Sequence, residues 1–285
     1  MIAITGASGH LGKATLDFLT VKTNADSLVA LVRNPEKATD LAAKGIHVRQ
    51  ADYGDYAALV AGLVGVDKLV LISSDALGDE RVQQHTNVIN AAKEAGVTHI
   101  FYTSAPNPSL DALFTPAIDH FRTETLIKES GLTYTFFRNN LYLDILPLVI
   151  GDAPQSGKLY YPAGDGKVSF VLRADIAEGL ANALTSEGHE NKVYEIGSPT
   201  AWTFGDIAAA VSESDKSVEY VDIPASAYEA ELAKHLPAHV VGVYAGMAKG
   251  IKQGDFNVAD SSLEKLLNRQ PVTLETYLKS LNVAV

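Results

Sequence analysis

Three glycines at a spacing of three, in Gly6-Ala7-Ser8-Gly9-His10-Leu11-Gly12, follow the apolar run Ile2-Ala3-Ile4-Thr5. They precede a stretch whose apolar residues recur at helical spacing. This turn constrains the fold more than any other segment. Glycine is needed where a backbone turns sharply and where it must approach a pyrophosphate closely. A helix opening near Leu11 aims its unpaired amides and the positive end of its dipole at whatever the turn holds. A glycine triplet alone is weak evidence. Between a strand and a helix it has the context of a dinucleotide site. The structural alternative is a tight turn with no ligand.

The residues that follow supply that context. Short apolar runs alternate with helical patterns, and runs such as Leu69-Val70-Leu71-Ile72 are continuous rather than alternating. Continuous runs suit a parallel sheet buried on both faces. Strands are expected at 2–5, 27–32, 46–50, 68–73, 99–104 and 133–138. Helices are expected at 11–21, 36–44, 56–63, 80–95 and 116–130. Gly45, Gly96 and Gly131 stand where helix C-caps are expected. The outcome is an α/β fold of Rossmann type, a doubly wound parallel sheet with right-handed crossovers.

After Asn139 the rhythm changes. Residues 140–150 are expected to start helical and to be broken by Pro147, Gly151 and Pro154. Residues 160–166 read as turn. A strand is expected at 168–172 and a helix at 174–184. Another strand is expected at 192–196, then a helix at 202–212 capped by Thr203. A last strand is expected at 218–223, followed by helical sequence to the end. The chain is thus divided into an NAD(P)-binding Rossmann domain, 1–139, to which 173–198 return, and a smaller substrate-binding part, 140–172 and 199–285.

The end of the second strand decides which dinucleotide. NAD-preferring sites place Asp or Glu there for the ribose hydroxyls. This chain has Arg33, and a guanidinium suits a 2′-phosphate. Lys37 is one turn further on and is a second candidate charge. Both point to NADPH, with solvated surface charges as the alternative. Asp52 either bonds the adenine or caps the helix that follows. Ser73, Ser74 and Thr103 end later strands, where cofactor contacts collect.

Composition narrows the field. The net charge of −11 argues against nucleic acid. With no cysteine, thiolate nucleophiles and disulfides are out, and no metal site is expected. No apolar run reaches the roughly 18 residues of a membrane span. The start of the chain shows no basic, apolar and cleavable pattern, so a cytoplasmic protein is expected. A homodimer is expected only because homo-oligomers are common. No Gly-x-Ser-x-Gly elbow supports a hydrolase. His235 and His239, four apart, flank Pro237 and read as surface residues.

The glycine turn resembles that of the short-chain dehydrogenase/reductase superfamily, whose usual catalytic pair is Tyr with Lys four residues on. None of the 12 tyrosines has Lys there: Tyr102 leads to Pro106, Tyr134 to Arg138 and Tyr142 to Leu146. Several segments together resemble the NmrA-like atypical members, which lack that pair too. They are the turn, 31–38, 48–55, Leu71-Ile72-Ser73-Ser74, 87–93, His120-Phe121-Arg122-Thr123-Glu124, Tyr134-Thr135-Phe136-Phe137-Arg138-Asn139-Asn140, and 188–195. Within that group the likeness is to bacterial type 2 quinone oxidoreductases and triphenylmethane reductases. It implies NADPH-dependent hydride transfer to a quinone-like apolar acceptor. A redox sensor that binds NADP(H) and acts through a protein partner is the non-catalytic alternative.

The resemblance places the nicotinamide end near Asn139 and Asn140. Asn139, Asn140 and Tyr142 follow the sixth strand at its carboxyl edge. Asn140 is either a catalytic or positioning amide or a helix cap. His120, with Glu124 four residues on as its expected partner, is either a proton donor or a buried, satisfied histidine. Arg138 is expected to make a structural ion pair.

Overall fold

A computed structural model describes residues 1–212, 216–260 and 262–281. The first half alternates as expected. Strand β1 (Ile2–Ile4) leads to helix α1 (His10–Thr20), β2 (Leu28–Val32) to α2 (Thr39–Ala43), and β3 (His47–Gln50) to α3 (Tyr56–Gly62). Then β4 (Lys68–Leu71) leads to α4 (Gly78–Glu94), and β5 (His99–Ser104) to α5 (Thr115–Glu129), before β6 (Thr133–Asn139). Next come α6 (Leu146–Ile150), α7 (Ala153–Ser156), β7 (Lys158–Tyr160), β8 (Lys167–Val168), α8 (Arg173–Leu184) and β9 (Lys192–Ile196). The remainder is β10 (Trp202–Thr203), α9 (Phe204–Ala210), β11 (Glu219–Val221), α10 (Ala225–Leu232), α11 (Ala238–Gln253), α12 (Ser262–Leu267) and α13 (Leu274–Ser280).

Seven strands form one parallel sheet in the order β3-β2-β1-β4-β5-β6-β9. The order reverses between β1 and β4, and that switch point is where doubly wound sheets open a crevice for ligands. Residues 28–32 and 99–104 are buried throughout, because helices cover both faces. One face packs against α1 and α8 through Leu16, Leu19, Ile176 and Leu180. The other carries Leu59, Val88 and Ile89 on α3 and α4.

A second apolar core joins Leu146, Leu159, Phe170, Phe204, Met247 and Phe256. It underlies the segments between β6 and α8 and most of the chain after β9. The two-residue β8 pairs with β10, and β11 with β7. Leu263 and Leu267 of α12 belong instead to the core beside α8 and β9. The division expected at residue 199 is therefore crossed again by α12.

Several local expectations are corrected. Residues 140–142 are not helical: the chain passes through one 3-10 turn, Leu143–Ile145, before α6. Pro147 does not break that helix. It sits in the first turn, where its missing amide has no partner to lose. Residues 158–160 are a strand, so Tyr160 ends a strand and does not open the turn expected at 160–166. The strand expected at 168–172 shortens to Lys167–Val168. Thr203 caps α9 with a reciprocal bond from Asp206. The expected helix at 36–44 is split into a 3-10 turn, Pro35–Ala38, and α2. Helical sequence to the chain end was expected too; residues 282–285 lie outside the described residues.

Candidate active site

The glycine turn lies at the switch point. Gly6 has φ +57°, a left-handed conformation that favours glycine. Gly9 caps α1 with extended backbone and donates its amide to the Gly6 carbonyl at 2.9 Å. Gly12 has no room for a side chain, since a Cβ there would sit 2.5 Å from the Gly6 carbonyl oxygen and 2.9 Å from Ala7 Cα. Helix and turn are therefore pressed together. No side chain caps α1, and its first turn holds no acid. Its free amides are left for an anion.

The turn opens on a cleft of about 410 Å³. Gly6, Ser8 and Gly9 line one wall; Arg33, Asp52 and Ser73 stand on others. Ala7 and Leu11 are buried in the core, Gly12 packs on the turn, and His10 is exposed as the first residue of α1. The side chains of these four do not line the cleft. Arg33 is exposed on its rim. Lys37, on the 3-10 turn beyond, is exposed but stands outside it. Asp52 does not cap the next helix. Its carboxylate accepts the Gly54 amide at 2.7 Å, and Asp55 caps α3 by accepting the Ala58 amide at 3.0 Å.

Four polar residues of this cleft have no role that the sequence alone suggests: Thr5, Tyr53, Asp75 and Gln84. The Tyr53 hydroxyl lies 2.7 Å from Thr5 Oγ1 and 2.6 Å from the Ile72 carbonyl, pinning the end of β3 to β1 and β4. Burial pushes its phenol well above the usual range. Only its place just after β3 pointed toward this role.

The far wall is held by a buried network. The Ser73 amide donates to Thr103 Oγ1 at 2.9 Å, and the Ser74 amide to His85 Nε2 at 3.0 Å. His85 Nε2 must therefore be bare, so Nδ1 carries the proton and donates to Thr123 Oγ1 at 2.9 Å. Burial, aided by the Arg81 guanidinium, holds His85 near a pKa of about 3. The Ser74 hydroxyl is buried without a hydrogen-bond partner among the described residues.

At Ser73 the cleft meets a second pocket of about 200 Å³. Here the fold gathers Thr103, His120, Asn139, Asn140 and Tyr142, with Phe114, Ile145 and Phe256 as apolar walls. Asn139 is 7% exposed, and neither atom of its amide has a hydrogen-bond partner among the described residues. Asn140 differs. Its Nδ2 donates to the Phe256 carbonyl at 2.9 Å and its Oδ1 accepts the Leu141 amide at 2.8 Å. It caps no helix; it ties the crossing after β6 to the loop at Phe256. Tyr142 has its phenol pushed up by burial. The Arg173 guanidinium over its ring, 4.9 Å from the centroid, opposes the rise. So does the nearby Asn139 amide, without reaching hydrogen-bond geometry.

Glu124 is not the partner of His120. Its carboxylate takes Arg138 in a two-point grip at 2.9 and 2.8 Å, and the Ser104 hydroxyl at 2.8 Å. Arg138 also reaches Glu195 at 2.8 Å, so it is the structural ion pair expected of it. His120 Nδ1 instead meets the Tyr102 hydroxyl at 2.6 Å.

The arrangement fits a phosphate-bearing dinucleotide laid across the switch point, with its reacting end beside a small, mostly apolar pocket. The turn excludes a Cβ, uncapped amides face it, and unpartnered polar atoms sit at Ser74 and Asn139. Among the described residues no group of three or more His, Asp or Glu side chains is placed to hold a metal.

Comparison with known proteins agrees. The model of the NmrA-like family matches residues 1–278. Quinone oxidoreductase 2 of Escherichia coli is 42% identical over 276 residues, 96% of each chain. The NAD(P)H azoreductase of Xenophilus azovorans is 31% identical over 224 residues, 78% of this chain and 77% of that one. Among solved structures, an E. coli NADPH-dependent quinone oxidoreductase complexed with NADPH superposes with a TM-score of 0.94 at 41% identity, covering 99% of both chains. A Citrobacter triphenylmethane reductase complexed with NADP(H) gives 0.92 at 34% identity, over 98% of this chain and 99% of that one.

Proposed function

The chain belongs to the NmrA-like family, and we propose on that basis that it is an NADPH-dependent oxidoreductase that reduces a quinone-like apolar acceptor. The observation that carries this reading is the joint at Ser73. A glycine-walled cleft with Arg33 on its rim opens there into an apolar pocket that holds the unpaired Asn139 amide.

The residues divide the work along that path. The turn Gly6-Ala7-Ser8-Gly9-His10-Leu11-Gly12 holds the pyrophosphate, with Ser8 and Gly9 at the wall and Ala7, Leu11 and Gly12 fixing the backbone. Arg33 takes the 2′-phosphate, and Lys37 adds positive potential from outside the cleft. Asp52 faces the adenine, while Ser73, Ser74 and Thr103 flank the middle of the cofactor. The buried, unpartnered amide of Asn139 is completed by the carboxamide end. When bound, NADPH supplies the hydride. The chain's own task is to seat a flat apolar acceptor against Phe114, Ile145 and Phe256 and keep water out. His120 and Tyr142 offer donors to its oxygens, and Asn140 holds the pocket wall. No Tyr/Lys pair is needed, because a quinone accepts a hydride without an acid of matched strength.

Reliance on NADPH suits a cytoplasmic site of action, and a homodimer is part of the same reading. No helix among the described residues is long and apolar enough to cross a membrane. The deciding experiment follows loss of the reduced cofactor's absorbance with a panel of quinones. Turnover with at least one quinone is expected. Binding of NADPH without turnover of any acceptor would overturn the reading.

A further inference from the structure

His120 is 7% exposed and lines the acceptor pocket. Tyr102, on β5, is fully buried. Their contact at 2.6 Å is a hydrogen bond between Tyr102 Oη and His120 Nδ1. Two protonation patterns satisfy that distance. If Nδ1 carried the proton, the Tyr102 hydroxyl hydrogen would be left with only the nearby Thr123 hydroxyl, which among the described residues does not reach hydrogen-bond geometry with it. A buried donor without an acceptor is costly, by about 1–3 kcal/mol. With Tyr102 as donor both atoms of that bond are satisfied, and the imidazole proton falls on Nε2. That atom has no partner among the described residues and is not among the sealed, orphaned ones.

Resting on the function proposed above, we propose that Tyr102 is a positioning residue that fixes His120 as a neutral Nε2–H donor to the acceptor's carbonyl oxygen. The groups around the ring hold it neutral. Arg81 and His85 on α4 face it, and Arg81 disfavours a second positive charge there. Asp119, on its own helix, accepts the Gly78 amide at 2.8 Å and lies 3.9 Å from Arg81. Glu124, also on α5, is occupied by Arg138 and Ser104. Asn139 and Tyr142 approach from β6 and the crossing after it. Burial then keeps the imidazole well below its usual pKa. His120 thus polarises the carbonyl without giving up its proton. Handing that proton over would leave an imidazolate or a buried Tyr102 phenolate, and burial disfavours both. In the net reaction the quinone gains a hydride and one proton from solvent, giving the hydroquinone.

The test uses nitrogen-labelled histidine in the whole protein, with the wild type and Tyr102→Phe compared by NMR and by turnover of 1,4-benzoquinone. In the wild type His120 is expected as the Nε2–H tautomer, unchanged from about pH 5.5 to 8.5. In Tyr102→Phe the tautomer becomes mixed, and kcat falls about tenfold while the KM for NADPH stays the same. An Nδ1–H tautomer in the wild type, a His120 that protonates within that range, or a Tyr102→Phe enzyme with wild-type kcat overturns the proposal. If Tyr102→Phe does not fold, the wild-type tautomer decides alone. If the wild type reduces no quinone, the functional reading fails, and the tautomer still tests the Tyr102–His120 assignment.

Discussion

The Arg33 guanidinium stands 3.9 Å from the Asp75 carboxylate across the mouth of the cofactor cleft, with both side chains largely exposed. Exposed pairs of this kind contribute about 0–1 kcal/mol, so Arg33 is cheaply released to a stronger anion. A phosphate competes well for a planar guanidinium. Arg33→Ala is expected to weaken NADPH binding by about 10- to 100-fold and to leave NADH nearly unchanged. Asp75→Asn, which removes the competitor, should tighten NADPH slightly. Titration calorimetry with both cofactors checks this, and equal losses for the two in Arg33→Ala would refute the assignment.

The approach of Gly12 to Gly6 makes a second prediction. A Cβ 2.5 Å from a backbone carbonyl cannot be relieved by moving a flexible side chain. Gly12→Ala should cost about 1–3 kcal/mol of stability and weaken NADPH as the turn is pushed open. Urea unfolding and a binding titration on the same protein measure both. Retention of full stability would mean that α1 can slide, contrary to this packing.

Asn139 should behave unlike an ordinary buried polar residue. Both atoms of its amide lack partners among the described residues, so the free protein carries their desolvation cost without return. Asn139→Ala is expected to leave Tm unchanged or raise it, while NADPH binding weakens about fivefold, the effect of one hydrogen bond of roughly 1 kcal/mol. A clear fall in Tm would show that the amide is satisfied in the free protein.

His85 sets part of the pH dependence of stability. Its pKa is held near about 3 in the fold against 6.5 for a free imidazole. Between those values the unfolded chain binds a proton that the folded one does not. Stability from this group is therefore complete above about pH 6.5 and is lost as pH falls, at up to about 1.4 kcal/mol per pH unit. His120, shifted the same way, adds to the slope. His85→Gln should flatten the dependence of unfolding free energy on pH between about pH 6 and 4. An unaltered slope would count against a neutral, buried His85.

The sheet was legible because its strands carry a signature that survives without neighbours. A parallel strand covered by helices on both faces must be apolar at every position, as Leu28–Val32 is. The glycine turn was legible for the same reason, since its spacing reports a local backbone demand. The segment after Asn139 was harder. Pro147 reads as a helix breaker, yet it tolerates the first turn of α6, and nothing local says where that helix begins. The three-residue β7 has too few positions for a pattern, and it exists because β11 pairs with it from 61 residues away, Glu219 opposite Lys158.

For the site, the chain alone determined the turn, the Arg at the end of β2, and the absence of a Tyr/Lys pair. These are matters of residue identity and short spacing. Which groups pair across space was left to tertiary structure. Helical spacing correctly put His120 and Glu124 on one stretch of α5, but it could not know which strand residues compete for them. Arg138 on β6 takes Glu124 with two charge-assisted bonds, and Tyr102 on β5 takes the imidazole. Hydrogen bonding in a packed interior goes to the nearest well-aligned partner. Alignment is a property of the assembled sheet and helices, which no single segment of the sequence encodes.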